Sequence, residues 1–329
     1  MNVVYSSSDS YSPVAGVSLF SLLENNQSSA ELNVFIIDNN ISEKNKEKFI
    51  KTCDKYGRSL TFIPIANIEK MAGTSIDTGR WNISTFARLF YATLLPDYVD
   101  KVIHIDCDTM VMTSLEEFWN TDMEGKIVAG SLECIGDNYK TEIGLSKDDI
   151  YINAGNIMLN LKKIREDNTE ELFKKFLREN HQLSFVDQPV LNACVKNSEK
   201  LVVPLNFNAY SIIYYLKYKN LKKAKKVSHY YSEAEVKNAV QKPWIVHFTT
   251  CFMDGSRPWI ENNAHPLLDK YLDYRHRSEW GGEPLWKDPR GKLKRTAYKI
   301  FKILPEGFVA FFIGFIHNDV IHFIKKIKK

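Results

Sequence analysis

Two aspartates separated by a single residue, Asp106 and Asp108, carry the clearest metal-binding chemistry in this sequence. They form the only D-x-D in the chain and follow directly after the apolar run at residues 102–105. In an extended segment alternate side chains share a face, so both carboxylates can contact one divalent cation, a hard ion that binds oxygen ligands and bridges phosphates. The alternative is a solvated turn after a strand, because so short a motif also occurs without a ligand.

The glycines do not supply a phosphate-binding loop. Nucleotide-binding α/β proteins commonly carry G-x-G-x-x-G or the P-loop motif. Neither occurs here, and none of the 15 glycines is spaced G-x-G. If the chain binds a diphosphate, something other than a glycine-rich loop must neutralise its charge.

The elements that must position these residues alternate between β-branched or aromatic runs and amphipathic stretches over the first 250 residues. This alternation is typical of an α/β sheet domain, which holds ligands at the carboxyl edge of its strands. We expect Ser42 to cap a helix that Gly57 ends. The predicted strands are residues 3–5, 33–37, 60–65, 102–105, 126–129, 155–161 and 244–248, with an extended segment at 109–112, and the predicted helices are residues 13–23, 42–56, 85–95, 169–177 and 188–195.

Composition indicates a folded protein of a reducing compartment. A chain of 329 residues with 44% hydrophobic content can bury a sizeable core. Its five cysteines are scattered and never spaced C-x-x-C, which argues against a disulfide framework and a zinc site. The amino terminus lacks a cationic region followed by a long apolar segment, so we expect no secretory signal and a cytoplasmic protein.

Seven segments, in their order and spacing, resemble the family 8 glycosyltransferases, which include bacterial lipopolysaccharide galactosyl- and glucosyltransferases and glycogenin. The resemblance spans about residues 2 to 260. The matching segments, together with VIHIDCDTMV at residues 102–111, are VVYS at 3–6 with Tyr11, STFARL at 84–89, NAG at 153–155 with MLNL at 158–161, FVDQ at 185–188 with LN at 191–192, LNFN at 205–208, and VHF at 246–248 with RPW at 257–259.

The resemblance implies a GT-A type, Rossmann-like fold, a UDP-sugar donor, a manganese cofactor and retention of anomeric configuration. By similarity Asp106, Asp108 and His247 would bind the metal. Two carboxylates and one imidazole suit Mn2+ better than an all-oxygen magnesium site, although Mg2+ is possible. The other interpretation of His247 is a hydrogen-bonded histidine at the end of a strand.

Further residues are assigned to the donor by the same resemblance. Arg88 lies among apolar neighbours, where an unpaired cation is costly, so it pairs either with a structural carboxylate or with the donor. Arg257 resembles the lysine that holds the diphosphate in the family. The family's first strand often ends in an acidic residue, where this chain has serines and Asp9. The donor-binding set is therefore Ser6, Ser8, Tyr11, Arg88, Asp106 and Arg257, and which of residues 6–10 contact the nucleoside stays open.

Three residues match those that line the donor sugar in the family, and we assign them to catalysis: Asn153, Asp187 and Gln188. For a retaining transfer, Gln188 or Asp187 would lie near the anomeric carbon. Each also has a structural interpretation. Asn153 could belong to a turn into a strand, and Asp187 could cap a helix that Gln188 opens.

The carboxyl-terminal residues differ in composition from the rest of the chain. Residues 291–329 hold nine Lys or Arg against two acids, a local charge of +7, so the other 290 residues sum to 4 − 7 = −3. Glycines and prolines cluster near residue 280, which predicts a domain at 1–280 followed by a linker and tail at 281–329. The apolar run at 308–316 is too short to span a bilayer, but flanking cations are typical of an interfacial helix. A terminal helix packed on the core or on another subunit is the alternative.

Together these features predict a retaining hexosyltransferase that moves glucose or galactose from a UDP-sugar to a saccharide or lipid-linked glycan acceptor. It would act at the inner face of the membrane in bacterial cell-surface polysaccharide or lipopolysaccharide synthesis. We expect the tail at 291–329 to bind an anionic membrane surface and no nucleic acid, because nucleic-acid readers interleave aromatic and basic residues. The alternatives are a phosphohydrolase of the haloacid dehalogenase type, which also uses D-x-D, and an inactive sugar-binding relative.

Overall fold

A seven-stranded sheet forms the centre of the computed structural model, which describes residues 1–65, 67–79, 81–180, 183–250 and 257–320. Its strand order is β3-β2-β1-β4-β7-β6-β8, and β7 alone runs antiparallel to its neighbours. The strands of this sheet are β1 (Asn2–Ser8), β2 (Asn33–Asn39), β3 (Ser59–Pro64), β4 (Lys101–Ile105), β6 (Val128–Leu132), β7 (Ile152–Asn160) and β8 (Lys200–Val202).

Three short strands form a second sheet, ordered β5-β10-β9, from β5 (Thr109–Val111), β9 (Ala209–Tyr210) and β10 (Ile245–His247). The chain leaves β4, turns through residues 106–108 and enters the second sheet as β5. Because β10 pairs antiparallel with β5, the second sheet brings residues near 247 back to the end of β4.

Helices cover the large sheet on both faces. Neighbouring residues such as Val3 and Val4 belong to different apolar clusters on opposite faces, and both are fully buried. Burial on both faces explains why these strands are continuous apolar runs. The predicted α/β fold is confirmed.

The α-helices of the described residues are α1 (Ser12–Asn25), α2 (Glu43–Lys55), α3 (Ile68–Ala72), α4 (Tyr91–Leu94), α5 (Glu116–Trp119), α6 (Asp137–Thr141), α7 (Leu161–Glu166), α8 (Thr169–Glu179), α9 (Asp187–Cys194), α10 (Ile212–Tyr215), α11 (Tyr218–Lys225), α12 (Glu233–Gln241), α13 (Leu268–Arg277), α14 (Lys292–Ile303) and α15 (Glu306–Gly314).

Several element boundaries differ from the sequence prediction. The α-helix predicted at residues 85–95 is a 3-10 helix from Ile83 to Phe90, and only its last turn continues as α4. Strand β7 begins at Ile152 instead of residue 155, so Asn153 lies inside a strand and not in a turn. The remaining 3-10 helices are Asp9–Tyr11, Asn197–Glu199 and Leu205–Asn208, and a π-helical segment follows α15 at Phe315–Val320.

The residues after 277 run along the core before the terminal helices begin. Trp280 is fully buried, and its indole N–H donates to Asn45 Oδ1 at 3.1 Å. Trp286, in the predicted linker, accepts and donates backbone hydrogen bonds with Glu261 and Trp259 at 2.8 Å each. Among the described residues, no helix combines the length and the apolarity that crossing a bilayer requires. Residues 321–329 of the predicted tail lie outside the described residues.

Candidate active site

The Asp106–Asp108 segment leaves the carboxyl end of β4 in the middle of the large sheet. Its backbone is fixed there because the Asp106 N–H donates to the Gly155 carbonyl on the neighbouring strand β7 at 2.7 Å. On its other side β4 pairs with the parallel strand β1, in which Val4 lies beside His104. The same register, continued by two residues, places Ser6 beside Asp106. The D-x-D therefore lies at the edge where α/β proteins bind ligands.

His247 reaches the two aspartates through the second sheet. It pairs with Thr109 across β5 and β10, and the next residue, Phe248, donates its N–H to the Asp108 carbonyl at 2.8 Å. His247 Nε2 lies 3.2 Å from Asp108 Oδ1 and 3.6 Å from Asp106 Oδ2. One ligand atom from each of the three side chains lies within 4.8 Å of the other two.

This donor set fits a divalent cation. Two carboxylates and one imidazole converge, and the strand behind them carries a glycine where a larger residue would collide. A Cβ on Gly155 would lie 2.3 Å from His247 Cε1 and 2.8 Å from Asp106 Oδ2. Burial lowers the pKa of His247, but Asp108 and Asp106 outweigh this effect and raise the pKa above its usual value. The electrostatic field at the imidazole therefore favours positive charge, as a metal site requires.

A chain of buried amide side chains sets the orientation of His247. Asn153 Oδ1 accepts the Gly155 backbone N–H at 2.9 Å, while the Asn153 amide donates to the Glu133 carboxylate. Asn208 must therefore turn its amide N–H to Asn153 Oδ1, at 2.7 Å, and its carbonyl oxygen to His247 Nδ1, at 3.0 Å. Since that oxygen can only accept, Nδ1 carries the proton and Nε2 is the nitrogen available to a metal.

Arg88 links the D-x-D to the first turn of α9. Its Nη2 donates to Asp106 Oδ1 at 2.8 Å, its Nη1 donates to the Ala154 carbonyl, and its Nε lies 2.9 Å from Asp187 Oδ2. Burial raises the pKa of Asp106, but Arg88, His104 and His247 together hold that pKa well below its usual range. Both carboxylates paired with Arg88 thus belong to the candidate site, and Asp106 stays ionised.

Asp187 is the first residue of α9 and does not cap it. The cap position is Val186, whose φ of 46° is unusual for a β-branched residue, and among the described residues no side chain caps this helix end. Asp187 Oδ2 is buried and, despite its proximity to Arg88, accepts no hydrogen bond from any described residue, because the Arg88 Nε–H is directed at the Thr85 carbonyl, 3.3 Å away. Burial raises the pKa of Asp187 to about 6, against the opposing effect of Arg88.

The other predicted residues surround this centre. Gln188 Oε1 accepts the Ala154 N–H at 2.9 Å, which brings Gln188 next to Asn153. Arg257 donates to the Tyr11 hydroxyl at 2.7 Å and lies 3.3 Å from Asp108 Oδ2. Ser6 Oγ donates to the Ser84 carbonyl at 3.0 Å, whereas Ser8 lies further out, with its Oγ 3.4 Å from that of Ser10.

Sequence reasoning missed the roles of three residues, the buried His104 and Asn208 and the partly buried Glu133. His104 lies 3.0 Å from Asp106 Oδ1 and 2.8 Å from the Tyr91 hydroxyl, and burial lowers its pKa to about 4. Its position in β4, two residues before Asp106, was a usable signal. Asn208 lies in the matching LNFN segment, but neither it nor Glu133 could be given its contacts from the sequence, because these contacts join segments that are far apart in the chain.

This chain is similar to known proteins in sequence and in structure. The family model described as "Glycosyl transferase family 8" matches residues 2–262. General stress protein A of Bacillus subtilis is 25% identical over 85% of this chain and 94% of its own length. A lipopolysaccharide 1,2-glucosyltransferase of Escherichia coli K12 is 23% identical over 85% of this chain and 79% of its own length. The crystal structure of the galactosyltransferase LgtC with donor and acceptor sugar analogs superposes with a TM-score of 0.70, at 21% identity, over 85% of this chain and 96% of that one. The structural likeness establishes a GT-A type fold.

Proposed function

Because this chain belongs to glycosyl transferase family 8 and is a glycosyltransferase, we propose that it moves a hexose, glucose or galactose, from a UDP-sugar to a saccharide acceptor with retention of anomeric configuration. The acceptor is a glycan of bacterial cell-surface polysaccharide or lipopolysaccharide synthesis, free or linked to lipid. This specific activity rests on the chemistry of the site described above.

The observation that carries the proposal is the convergence of Asp106, Asp108 and His247 between the buried Arg88 and the partly buried Arg257. Arg88 lies on one side, against Asp106, and Arg257 lies on the other, against Asp108. In a chain without a glycine-rich loop, this arrangement supplies the positive charge that a diphosphate needs. When bound there, Mn2+, or alternatively Mg2+, offsets the negative charge that develops on the departing UDP.

The residues of the chain divide between the nucleotide and the sugar. Tyr11, with Ser6 and Ser8 at the end of β1, binds the nucleoside, and Arg257 binds the diphosphate. Asp187 offers the donor sugar a buried carboxylate oxygen that accepts no hydrogen bond within the part of the chain that the structure describes. A sugar hydroxyl placed there would satisfy an acceptor that is otherwise costly to bury.

Asn153 and Gln188 complete the sugar side of the site. Both are held rigidly, Asn153 by three hydrogen bonds and Gln188 by the Ala154 N–H. The acceptor hydroxyl approaches the face of the sugar that UDP leaves, with Gln188 or Asp187 near the anomeric carbon. Rigid placement of these groups lowers the entropic cost of reaching the reactive geometry.

The enzyme works at the cytoplasmic face of a membrane with anionic lipids. Helix α14, which precedes α15, carries exposed cations together with apolar residues that are exposed to solvent: Leu293 (84% exposed), Ile300 (51%) and Ile303 (84%). These three lie on one stripe of the helix, which is how an interfacial helix is built. Attachment there would raise the local concentration of a membrane-borne acceptor.

A screen of UDP-glucose and UDP-galactose with the purified protein tests the proposal. UDP release and sugar transfer would be followed with Mn2+, with Mg2+ and with a chelator. We expect turnover of at least one UDP-hexose that requires the divalent ion. Phosphate release from phosphate monoesters without UDP-sugar turnover would instead support the haloacid dehalogenase alternative, which the position of the D-x-D after the fourth strand already disfavours. Binding without turnover would support an inactive relative.

A further inference from the structure

Helix α15 is docked onto helix α11 of the core and is not a free tail. Its Val309 and Ala310 are fully buried, and Gly314 comes so close to α11 that a Cβ there would lie 2.7 Å from the Lys223 carbonyl oxygen. Glu306 Oε1 accepts the Lys217 N–H at 2.6 Å and the Asn220 amide at 2.8 Å. These contacts fix the orientation of α15 relative to α11.

The opposite face of α15 is aromatic and open to solvent. Phenylalanines recur there at i, i+3, i+4 and i+7, a spacing that places them on one face of a helix. Their exposed fractions range from 41% to 57%, far above those of ordinary core phenylalanines. The residues are Phe308, Phe311 and Phe312 of α15 and Phe315, the first residue of the π-helical segment that continues it.

Lysines of α11 continue this face on the core. Lys219, Lys222 and Lys223 share one face of α11 by the same i, i+3, i+4 spacing, and Lys219 and Lys223 are exposed. The Lys223 ammonium lies 5.2 Å from the centre of the Phe311 ring, so the lysine face and the phenylalanine face adjoin. We call the two faces together the lysine–phenylalanine surface.

We propose that the lysine–phenylalanine surface is a docking site for an anionic phospholipid bilayer, in which the α11 lysines of the core contact headgroup phosphates while the α15 phenylalanines enter the interface. This inference rests on the proposed membrane location, but it assigns part of the binding to a core helix outside the basic tail. Docking through two fixed helices also sets one orientation of the enzyme on the membrane.

The segregation of the two residue types favours a bilayer over other partners. In the interfacial region cations lie at the headgroup level and apolar side chains lie deeper, so a binding surface needs them on separate, adjacent faces. Single-stranded nucleic acid is bound by aromatic residues interleaved with basic ones. A second copy of this chain that met this surface across a two-fold axis would bring six lysines into one interface, because each copy contributes Lys219, Lys222 and Lys223.

Vesicle co-sedimentation of the full-length protein tests the proposal. The test variant carries Lys219→Gln, Lys222→Gln and Lys223→Gln, and the matched control loses the same charge at exposed lysines elsewhere, through Lys44→Gln, Lys51→Gln and Lys175→Gln. Vesicles contain phosphatidylcholine with phosphatidylglycerol, or phosphatidylcholine alone. Because each lysine near an anionic surface changes partitioning about fivefold, we expect a loss of about 100-fold for the test variant at low salt. The control should stay close to wild type.

The outcomes separate this inference from the proposed function. Equal sedimentation of the test and control variants, with the wild type bound, would overturn the role of α11 and leave membrane attachment through the tail intact. Absence of wild-type binding to anionic vesicles would overturn both. A concentration-dependent dimer that Phe308→Ser with Phe311→Ser dissociates, with vesicle binding unchanged, would show that this surface binds a second copy instead. UDP-hexose turnover on a free acceptor should be unchanged in every variant, which verifies that each one is folded.

Discussion

The side-chain oxygen of Asn208 lies 3.0 Å from Nδ1 of His247 and fixes the imidazole so that Nε2 faces Asp106 and Asp108. The Gly155 N–H donates to Asn153 Oδ1, and the Asn208 amide N–H donates to the same oxygen. These two hydrogen bonds leave the Asn208 oxygen directed at His247. The residues assigned to the donor sugar and the residues assigned to the metal are therefore joined by one hydrogen-bond chain. A substitution among the residues assigned to the metal should therefore alter the position of those assigned to the donor sugar, and the reverse.

Replacing Asn208 with alanine should weaken Mn2+ binding by about 10- to 100-fold, as loss of a hydrogen-bond partner of a metal-binding histidine commonly does. Asn208→Asp keeps an oxygen for His247 Nδ1 but loses the donor to Asn153, so it should retain more metal affinity than the alanine variant. Titration of Mn2+ followed by electron paramagnetic resonance reports this directly. Wild-type affinity in Asn208→Ala would show that the contact does not orient the ligand.

Substitution of Gly155 by alanine should abolish turnover while preserving the fold. The new methyl group would press on His247 Cε1 and Asp106 Oδ2, and a displacement of about 1 Å can cost on the order of 100-fold in rate. Gly282→Ala is the control, because a Cβ there lies within 4 Å of no atom of the described residues and needs no unusual φ. Circular dichroism and UDP-hexose turnover measure the two effects, and an active Gly155→Ala enzyme would contradict the assigned site.

Substitutions of Gln188 and Arg257 should have different effects, the first on catalysis and the second on nucleotide binding. Gln188→Ala removes a contact with the reacting sugar, so kcat should fall on the order of 100-fold while UDP affinity stays near wild type. Arg257→Ala removes a contact with the diphosphate, so UDP affinity should fall. Calorimetric titration with UDP, alongside steady-state kinetics, compares the two variants. Equal losses of kcat and UDP affinity in Gln188→Ala would give that residue a structural role.

The apolar stripe of α14 should contribute to vesicle binding independently of charge. Leu293→Ser, Ile300→Ser and Ile303→Ser together remove side chains that gain about 1.5–3 kcal/mol each on full burial. The control replaces exposed apolar residues elsewhere, through Ile50→Ser, Tyr98→Ser and Leu172→Ser. Substitution is preferable to deletion of residues 291–329, because deletion would uncover the surface of α11 that α15 buries. If both triple variants sediment with anionic vesicles alike, α14 does not enter the interface.

Local sequence signals predicted much of the fold but not all of its detail. The expected cap of α2 is present, since Ser42 accepts the Asn45 N–H, and Gly57 follows the helix with a φ of 61°. The 3-10 winding at residues 83–90 was not predicted, because the apolar spacing in that segment fits either kind of helix. Tertiary contacts of Arg88 with Asp106 and Asp187 hold it in place, and these lie outside any local window.

The candidate site also contains some residues that the sequence predicted and some contacts that it did not. Asp106 and Asp108 were predicted from spacing alone, and His247 from resemblance. The hydrogen-bond chain from Glu133 through Asn153 and Asn208 to His247 joins the residue that follows β6, strand β7, a 3-10 helix and β10. No periodicity encodes such a contact, because it exists only after the two sheets have assembled.

UDP release from the preferred UDP-hexose, compared between wild type and Asp108→Asn, tests the central claim most directly. Each protein would be stripped with a chelator and then titrated with Mn2+. We predict that wild-type turnover is lost on stripping and restored by Mn2+, whereas Asp108→Asn binds UDP weakly and stays inactive at the same metal concentrations. Metal-dependent turnover by Asp108→Asn equal to that of wild type, or wild-type turnover that persists without any divalent ion, would contradict the assignment of Asp106, Asp108 and His247 as the metal site of a glycosyltransferase.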